Sequence, residues 1–318
     1  MRDFDQTVIG NPAYDLIRLG LSLASAARGS DLSGVVTFRM LDEVTAGYRN
    51  AFLAFDHDRD LKSKWPKSVK TAFRAAVDGT WKTMAKENIE DVNPAIPLGK
   101  RFWPLSKNEK QEISELFRQD KVRRLVTSLR RRDDDSPVAV HDAAFWVKGC
   151  SSLGNLRYAV LIGIGKKHPE YCIIDIKEAV MPVASKLPGT SIPKDNAERV
   201  ASGAWHMSPA LGTRILASSI QGRPVFLREL LPQDLKFEIE NLEQKEALRV
   251  AGFLGAVIGK AHARQMDVGI RKKWLSQLSR EGADGVASWL WSSVVQLLVV
   301  HEDGYLKHCR AVAERLHG

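Results

Sequence analysis

Cysteine is scarce in this chain: Cys150, Cys172 and Cys309 are the whole complement of 318 residues. An odd number without metal-type spacing argues against a disulfide-stapled secreted domain and against a thiolate zinc site. Cys150 and Cys172 read instead as small hydrophobes, one in a turn and one in a strand. Long apolar runs are missing as well. The most apolar stretch, 286–300, is interrupted by Ser292, Ser293 and Gln296 and is too short to span a bilayer. Asp3, Asp5, Asp15 and Arg18 near the start leave no basic-then-apolar leader, so a cytoplasmic protein without membrane contact is expected. Neither a Gly-Lys-Ser/Thr phosphate loop nor a nucleophile elbow occurs, and the eight histidines follow no metal spacing.

What is present is positive charge. Lys and Arg outnumber Asp and Glu by 47 to 38, a net charge of +9, which favours an anionic partner: nucleic acid, a phosphorylated substrate or an acidic protein. The basic runs at 121–124 and 130–132 carry no interleaved aromatics for base stacking. They read as a solvated helix face rather than a nucleic-acid interface. Apolar content of 44% and charged content of 27% are those of an ordinary globular chain, long enough for two lobes.

Helical spacing predicts helices over 14–28, 38–55, 66–88 and 107–131. A polar break at 133–137 is the expected domain boundary. Beyond it the pattern changes to strands over 141–148, 156–163 and 171–177, then a helix over 196–207, then strands over 213–219 and 224–230. From Lys245 onward the chain is helical again. Gly252, Gly255 and Gly259 weaken that first helix intrinsically, so they are expected to permit close packing against a neighbour. The stretch 286–300 is expected to be a buried helix, with Trp289 and Trp291 in the core.

Three groups of residues could carry chemistry. Gly149, Ser151 and Gly154 form a G-x-S-x-x-G turn between two strands, small enough to let backbone N–H groups approach phosphate. Lys177 closes an apolar strand, where an ammonium must reach water, a carboxylate or a ligand. Glu198 on the following helix would orient it, as the paired lysine and glutamate of protein kinases do. The alternative is a solvated lysine and a glutamate favoured by the helix dipole. Asp3 and Asp5, two apart on an extended segment, suit a hard cation such as Mg²⁺, or else form a frayed acidic start.

Taken together these segments resemble a bacterial family, the domain of unknown function 2252, which is similar to protein kinases and aminoglycoside phosphotransferases. The anchors are Asp3-Phe4-Asp5-Gln6 with 10–16, Arg101 to Ser106, 149–158, Ile176 to Ala179, Phe226 to Leu230, and Gly259 to Arg264. The resemblance covers most of the chain. It implies an α+β, circularly permuted protein-kinase-like fold, with a small five-stranded antiparallel lobe and a mostly helical lobe. The divisions would be 1–135, a metal-binding segment with a helical insert; 136–235, the small lobe; and 236–318, helices completing the large lobe. It further implies ATP and Mg²⁺ as cofactors, with Asp3 and Asp5 on the metal and Lys177 on the phosphates. Glu229 and Leu230 would lie near the adenine-contacting hinge, and Asp15 would match the structural aspartate of aminoglycoside kinases.

The chain departs from that family in one respect. A Gly-Asp-x-His-x-x-Asn catalytic loop belongs just upstream of Asp3, and the sequence begins too late to contain it. The expectation is a truncated or degenerate kinase-like protein, a phosphotransferase of unknown acceptor that binds nucleotide better than it turns it over. The alternative is a catalytically inactive pseudokinase that recruits a protein partner through residues 32–132.

Overall fold

Every residue of the strand Arg157–Ile164 is buried. A strand covered on both faces requires a layer above and a layer below its sheet. The fold was obtained as a computed structural model that describes residues 4–30, 32–55, 65–71, 95–129, 133, 135–147, 154–166, 169–212, 214–229, 242–280 and 288–317. In chain order its elements are α1 (Ala13–Arg28), α2 (Gly34–Leu53), β1 (Phe102–Trp103), α3 (Lys107–Arg118), α4 (Asp120–Leu129), β2 (Val138–Trp146), β3 (Arg157–Ile164), β4 (Glu170–Glu178), α5 (Asn196–Met207), α6 (Pro209–Gly212), β5 (Ile215–Ile220), β6 (Arg223–Glu229), α7 (Gln244–Gln265), α8 (Val268–Arg280) and α9 (Ser288–His317). The chain divides into a sheet unit, Met1–Gly10 with Arg74–Asp234, and a helical unit, Asn11–Phe73 with Leu235–Gly318.

The sheet unit holds one antiparallel sheet of six strands in the order β1-β2-β3-β4-β6-β5. Five strands were expected; the sixth is β1. Its two residues are too few for an alternating pattern, and stacking of Phe102 on Trp146 and of Trp103 on Phe145 holds it at the edge. On one face Tyr158, Val160 and Ile162 pack beneath α3 and α4; on the other, Ala159 and Leu161 meet Ile96. The single helix expected over 107–131 is two helices, because Gln119 is extended (ψ 133°). That break lets both Ile113, Leu116 and Phe117 and then Val122, Leu125 and Val126 lie on the sheet. The polar break at 133–137 therefore falls inside the sheet unit. Helix α5 covers the second face beside β5 and β6 through Ala197, Val200 and Ala204.

A capping box starts α3: the Ser106 hydroxyl accepts from the Glu109 amide, and the Glu109 carboxylate accepts from the Ser106 amide. The same carboxylate accepts the Tyr158 hydroxyl at 3.0 Å and so pins the helix to β3. Burial pushes the Glu109 carboxyl up, but the hydrogen bonds from Ser106 and Tyr158 outweigh it and hold it below the usual carboxylate range.

In the helical unit α2 and α7 pack backbone to backbone. A Cβ on Gly255 would overlap the Val44 carbonyl, and one on Gly259 would stand 2.6 Å from the Tyr48 carbonyl oxygen. The neighbour expected for the glycines of α7 is thus α2. A directional chain of polar groups crosses the same unit. Trp274 Nε1–H donates to the Tyr48 hydroxyl at 3.0 Å, which lies 2.9 Å from His262 Nδ1, and His262 Nε2 lies 3.1 Å from Asp15. Burial raises the Tyr48 phenol above its ordinary range, so it stays protonated within this chain. Trp289 and Trp291 pack against the core around Leu290 and Val294, but α9 runs on well past the expected buried stretch. Among the described residues no helix is long and apolar enough to cross a membrane.

Two stability tests follow from this packing. Gly255→Ala should cost about 1–3 kcal/mol through overpacking, whereas Gly304→Ala, where a Cβ meets nothing within 4 Å, should gain about 0.5–1 kcal/mol, both read from denaturant midpoints. The depressed Glu109 carboxyl contributes fully above the unfolded carboxylate range and loses its contribution as the pH falls through the folded value. Urea titrations at a series of pH values should therefore show a shallower acid loss for Glu109→Gln than for the natural chain.

Candidate functional site

Strand register puts a set of charges on one face of the sheet unit. Arg157 lies opposite Lys177, Asp175 opposite Arg228, and Lys177 opposite Phe226. Because side chains alternate along a strand, Asp175 and Lys177 share a face about 7 Å apart. Asp175 is fully buried and receives two guanidiniums. Arg157 binds it through two parallel bonds, Nε to Oδ1 at 3.0 Å and Nη2 to Oδ2 at 2.8 Å, and Arg228 Nη2 adds a third at 3.0 Å. The Arg157 guanidinium also lies over the Trp146 ring, 4.4 Å from its centroid. Two cations on one carboxylate leave this part of the face net positive.

Beside that cluster Lys177 Nζ donates to Asp5 Oδ2, and both side chains are largely buried at 15% and 17% exposure. Asp5 arrives there because the segment 4–10 is threaded along the unit. Phe4 is buried among Ala197, Val200 and Phe226. Arg199 on α5 donates Nη1 to the Thr7 carbonyl at 2.7 Å and Nη2 to the Val180 carbonyl at 2.8 Å, clasping the segment to the end of β4. Gln6 accepts the Val183 amide at 2.6 Å, and the Ile9 carbonyl accepts the Leu187 amide at 2.7 Å. Thr7 fills the space over Gly203, where a Cβ would overlap it.

The residues expected from sequence fall into three sets. Lys177 and Asp5 are brought together. Glu198 is exposed in the first turn of α5, its amide capped by Asp195, so the carboxylate set against Lys177 is Asp5 rather than the expected glutamate. Glu229 ends β6 with its carboxylate 4% exposed, held by Arg214 Nη2 at 2.6 Å. Gly154 sits in left-handed backbone at φ 83°, which a side chain disfavours. Asp3, Gly149, Ser151 and Leu230 lie outside the described residues. Among the described residues no group of three or more His, Cys, Asp or Glu is placed to hold a metal. Sequence reasoning missed Arg157, Asp175, Arg228 and Arg199. A visible signal existed: Asp175 interrupts an apolar strand two residues before Lys177, so the alternation already assigned them one face.

Residues 1–311 match the family described as an uncharacterized protein conserved in bacteria, DUF2252. The chain belongs to that family. No curated protein and no solved structure matches it. In this DUF2252 member the match takes in both the segment carrying Asp5 and the strands carrying Lys177 and Asp175.

Removing the shared carboxylate should be severe. Asp175→Asn leaves Arg157 and Arg228 without their anion and should cost about 3–5 kcal/mol in a denaturant titration. Arg228→Gln keeps the bidentate partner and should cost clearly less.

Proposed function

We propose that this DUF2252 protein binds a purine nucleotide with Mg²⁺ in the manner of a kinase, Lys177 serving the phosphates and Asp5 the metal. The observation that carries the reading is the Lys177–Asp5 pair on the sheet face. A lysine from the third strand of the run β2-β3-β4 meets a carboxylate from a segment resembling the kinase Asp-Phe-Gly, although 172 residues separate them. The order of elements agrees: β2, β3 and β4, then one helix, α5, then β5 and β6, as in a kinase small lobe. The Asp-Phe-Asp segment precedes those strands, which fits a circularly permuted arrangement. Gly154, in left-handed backbone where the turn enters β3, fits a phosphate-covering turn.

The donor set suits a metal that arrives with its nucleotide. Mg²⁺ takes one or two carboxylates and fills its remaining positions from phosphate oxygens and water. Asp5 supplies such a carboxylate, and the bound ion would contribute neutralisation of phosphate charge. Lys177 would exchange Asp5 for phosphate oxygens. The buried pair Arg157–Asp175 and Arg228 would keep the adjoining face positive without offering a competing mobile anion. Catalysis here would rest on positioning and charge neutralisation, and the phosphate acceptor would be met outside this charged face.

Thermal unfolding with ATP tests this. At a hundredfold excess over Kd, native-state binding adds about 2.7 kcal/mol of stability and raises the midpoint. The expected result is a rise in the natural chain that needs Mg²⁺ for its full size. Lys177→Ala should abolish the rise relative to its own ligand-free midpoint, and Asp5→Asn should abolish its Mg²⁺ dependence. An equal rise in Lys177→Ala, or no rise at millimolar ATP, would refute the assignment.

A further inference from the structure

The expectation of a buried helix over 286–300 holds only for its first part. Leu290 and Val294 are fully buried, but from Val299 to Leu316 every residue of α9 except Ala311 is exposed. Such a stretch is spared nucleation by the packed first part of α9, but without packing of its own it is open to fraying from its end. Its exposed surface also carries an ordered row that is apolar apart from Glu302. Val299, Glu302, Leu306, Cys309, Ala313 and Leu316 follow one another at alternating steps of three and four, the a/d spacing of a coiled-coil seam. Leu306 and Leu316 are 53% and 76% exposed on that seam.

We propose that α9 pairs with α9 of a second copy of this chain as a short antiparallel coiled coil. Charge decides both the occupant and the direction. A parallel pair would set Glu302 against the partner's Glu302, two like charges in an apolar seam. An antiparallel pair crossing between residues 307 and 308 sets Glu302 against the partner's Ala313, where it keeps its ion pair with Arg28. The same register sets Leu306 against the partner's Cys309 and Val299 against the partner's Leu316. On one flank Asp303 approaches the partner's Arg310, and on the other Tyr305 approaches the partner's Val312. Two-fold symmetry makes each contact twice, as an isologous interface requires. Asp303 already pairs with Lys307 on its own helix at 2.7 Å, an exposed i,i+4 contact that is readily exchanged. The proposal does not depend on nucleotide binding.

Sedimentation velocity on the full chain across a micromolar concentration series tests it, without added nucleotide. The natural chain should sediment as a dimer. Leu306→Asp, at an exposed position, should be monomeric and still unfold cooperatively, losing at most the helical far-ultraviolet signal of the outer part of α9. Asp303→Arg and Arg310→Asp should each raise the dimer dissociation constant about tenfold, and the double exchange should restore it. A natural chain that stays monomeric throughout, a dimer indifferent to Leu306→Asp, or single charge exchanges without effect would overturn the proposal.

Discussion

The ion pair between Lys177 and Asp5 joins two points 172 residues apart in sequence within one unit, and much of the sheet unit is organised to keep it. An ammonium on an apolar strand is costly to bury unless a carboxylate reaches it. Asp5 reaches it because Phe4 anchors the preceding position in the apolar cluster and Arg199 grips the Thr7 carbonyl behind. Each contact of the segment 4–10 is modest alone. Together they fix an extended stretch that has no secondary structure of its own to hold it, and they do so with backbone groups that would otherwise go unpaired.

The fully buried Asp175 answers a second constraint. Two arginines on the strands either side of β4 could not share one face of the sheet without an anion between them. The carboxylate satisfies both, and the cluster stays positive by one charge next to Lys177. Such a face is rigid, because the bidentate Arg157 contact and its stacking on Trp146 fix the guanidinium plane. The helical unit solves its packing differently, with glycines of α7 against the backbone of α2 and a chain of hydrogen bonds from Trp274 to Asp15.

Much of the architecture was legible in the sequence where the physics is local. The helix over 196–207 and the five long strands were legible from local patterning, β3 being a run too apolar for a half-wet strand. The glycines of α7 announced a close neighbour. Other features depend on partners distant in sequence. A two-residue edge strand has no periodicity to read, and the break at Gln119 exists only because two helices must both meet one sheet. The stretch 286–300 reads as a buried helix, yet Val299 and Val300 at its end are exposed, since periodicity specifies a face and not what covers it. For the site, Lys177 and Asp5 were each identifiable as residue types out of place. Their pairing with each other, in place of a lysine–glutamate pair with Glu198, required the tertiary path of residues 4–10.

Nucleotide binding at Lys177 is tested most directly by labelling with a lysine-reactive acyl-phosphate analogue of ATP, followed by peptide mapping. A lysine that sits at nucleotide phosphates reacts far faster than one in solvent, through proximity alone. With Lys177 at the phosphates, it should be the dominant labelled lysine, excess ATP with Mg²⁺ should suppress its labelling, and the exposed lysines of α3 and α8 should be unaffected by ATP. Labelling of Lys177 no greater than theirs, or undiminished by ATP, would contradict nucleotide binding there.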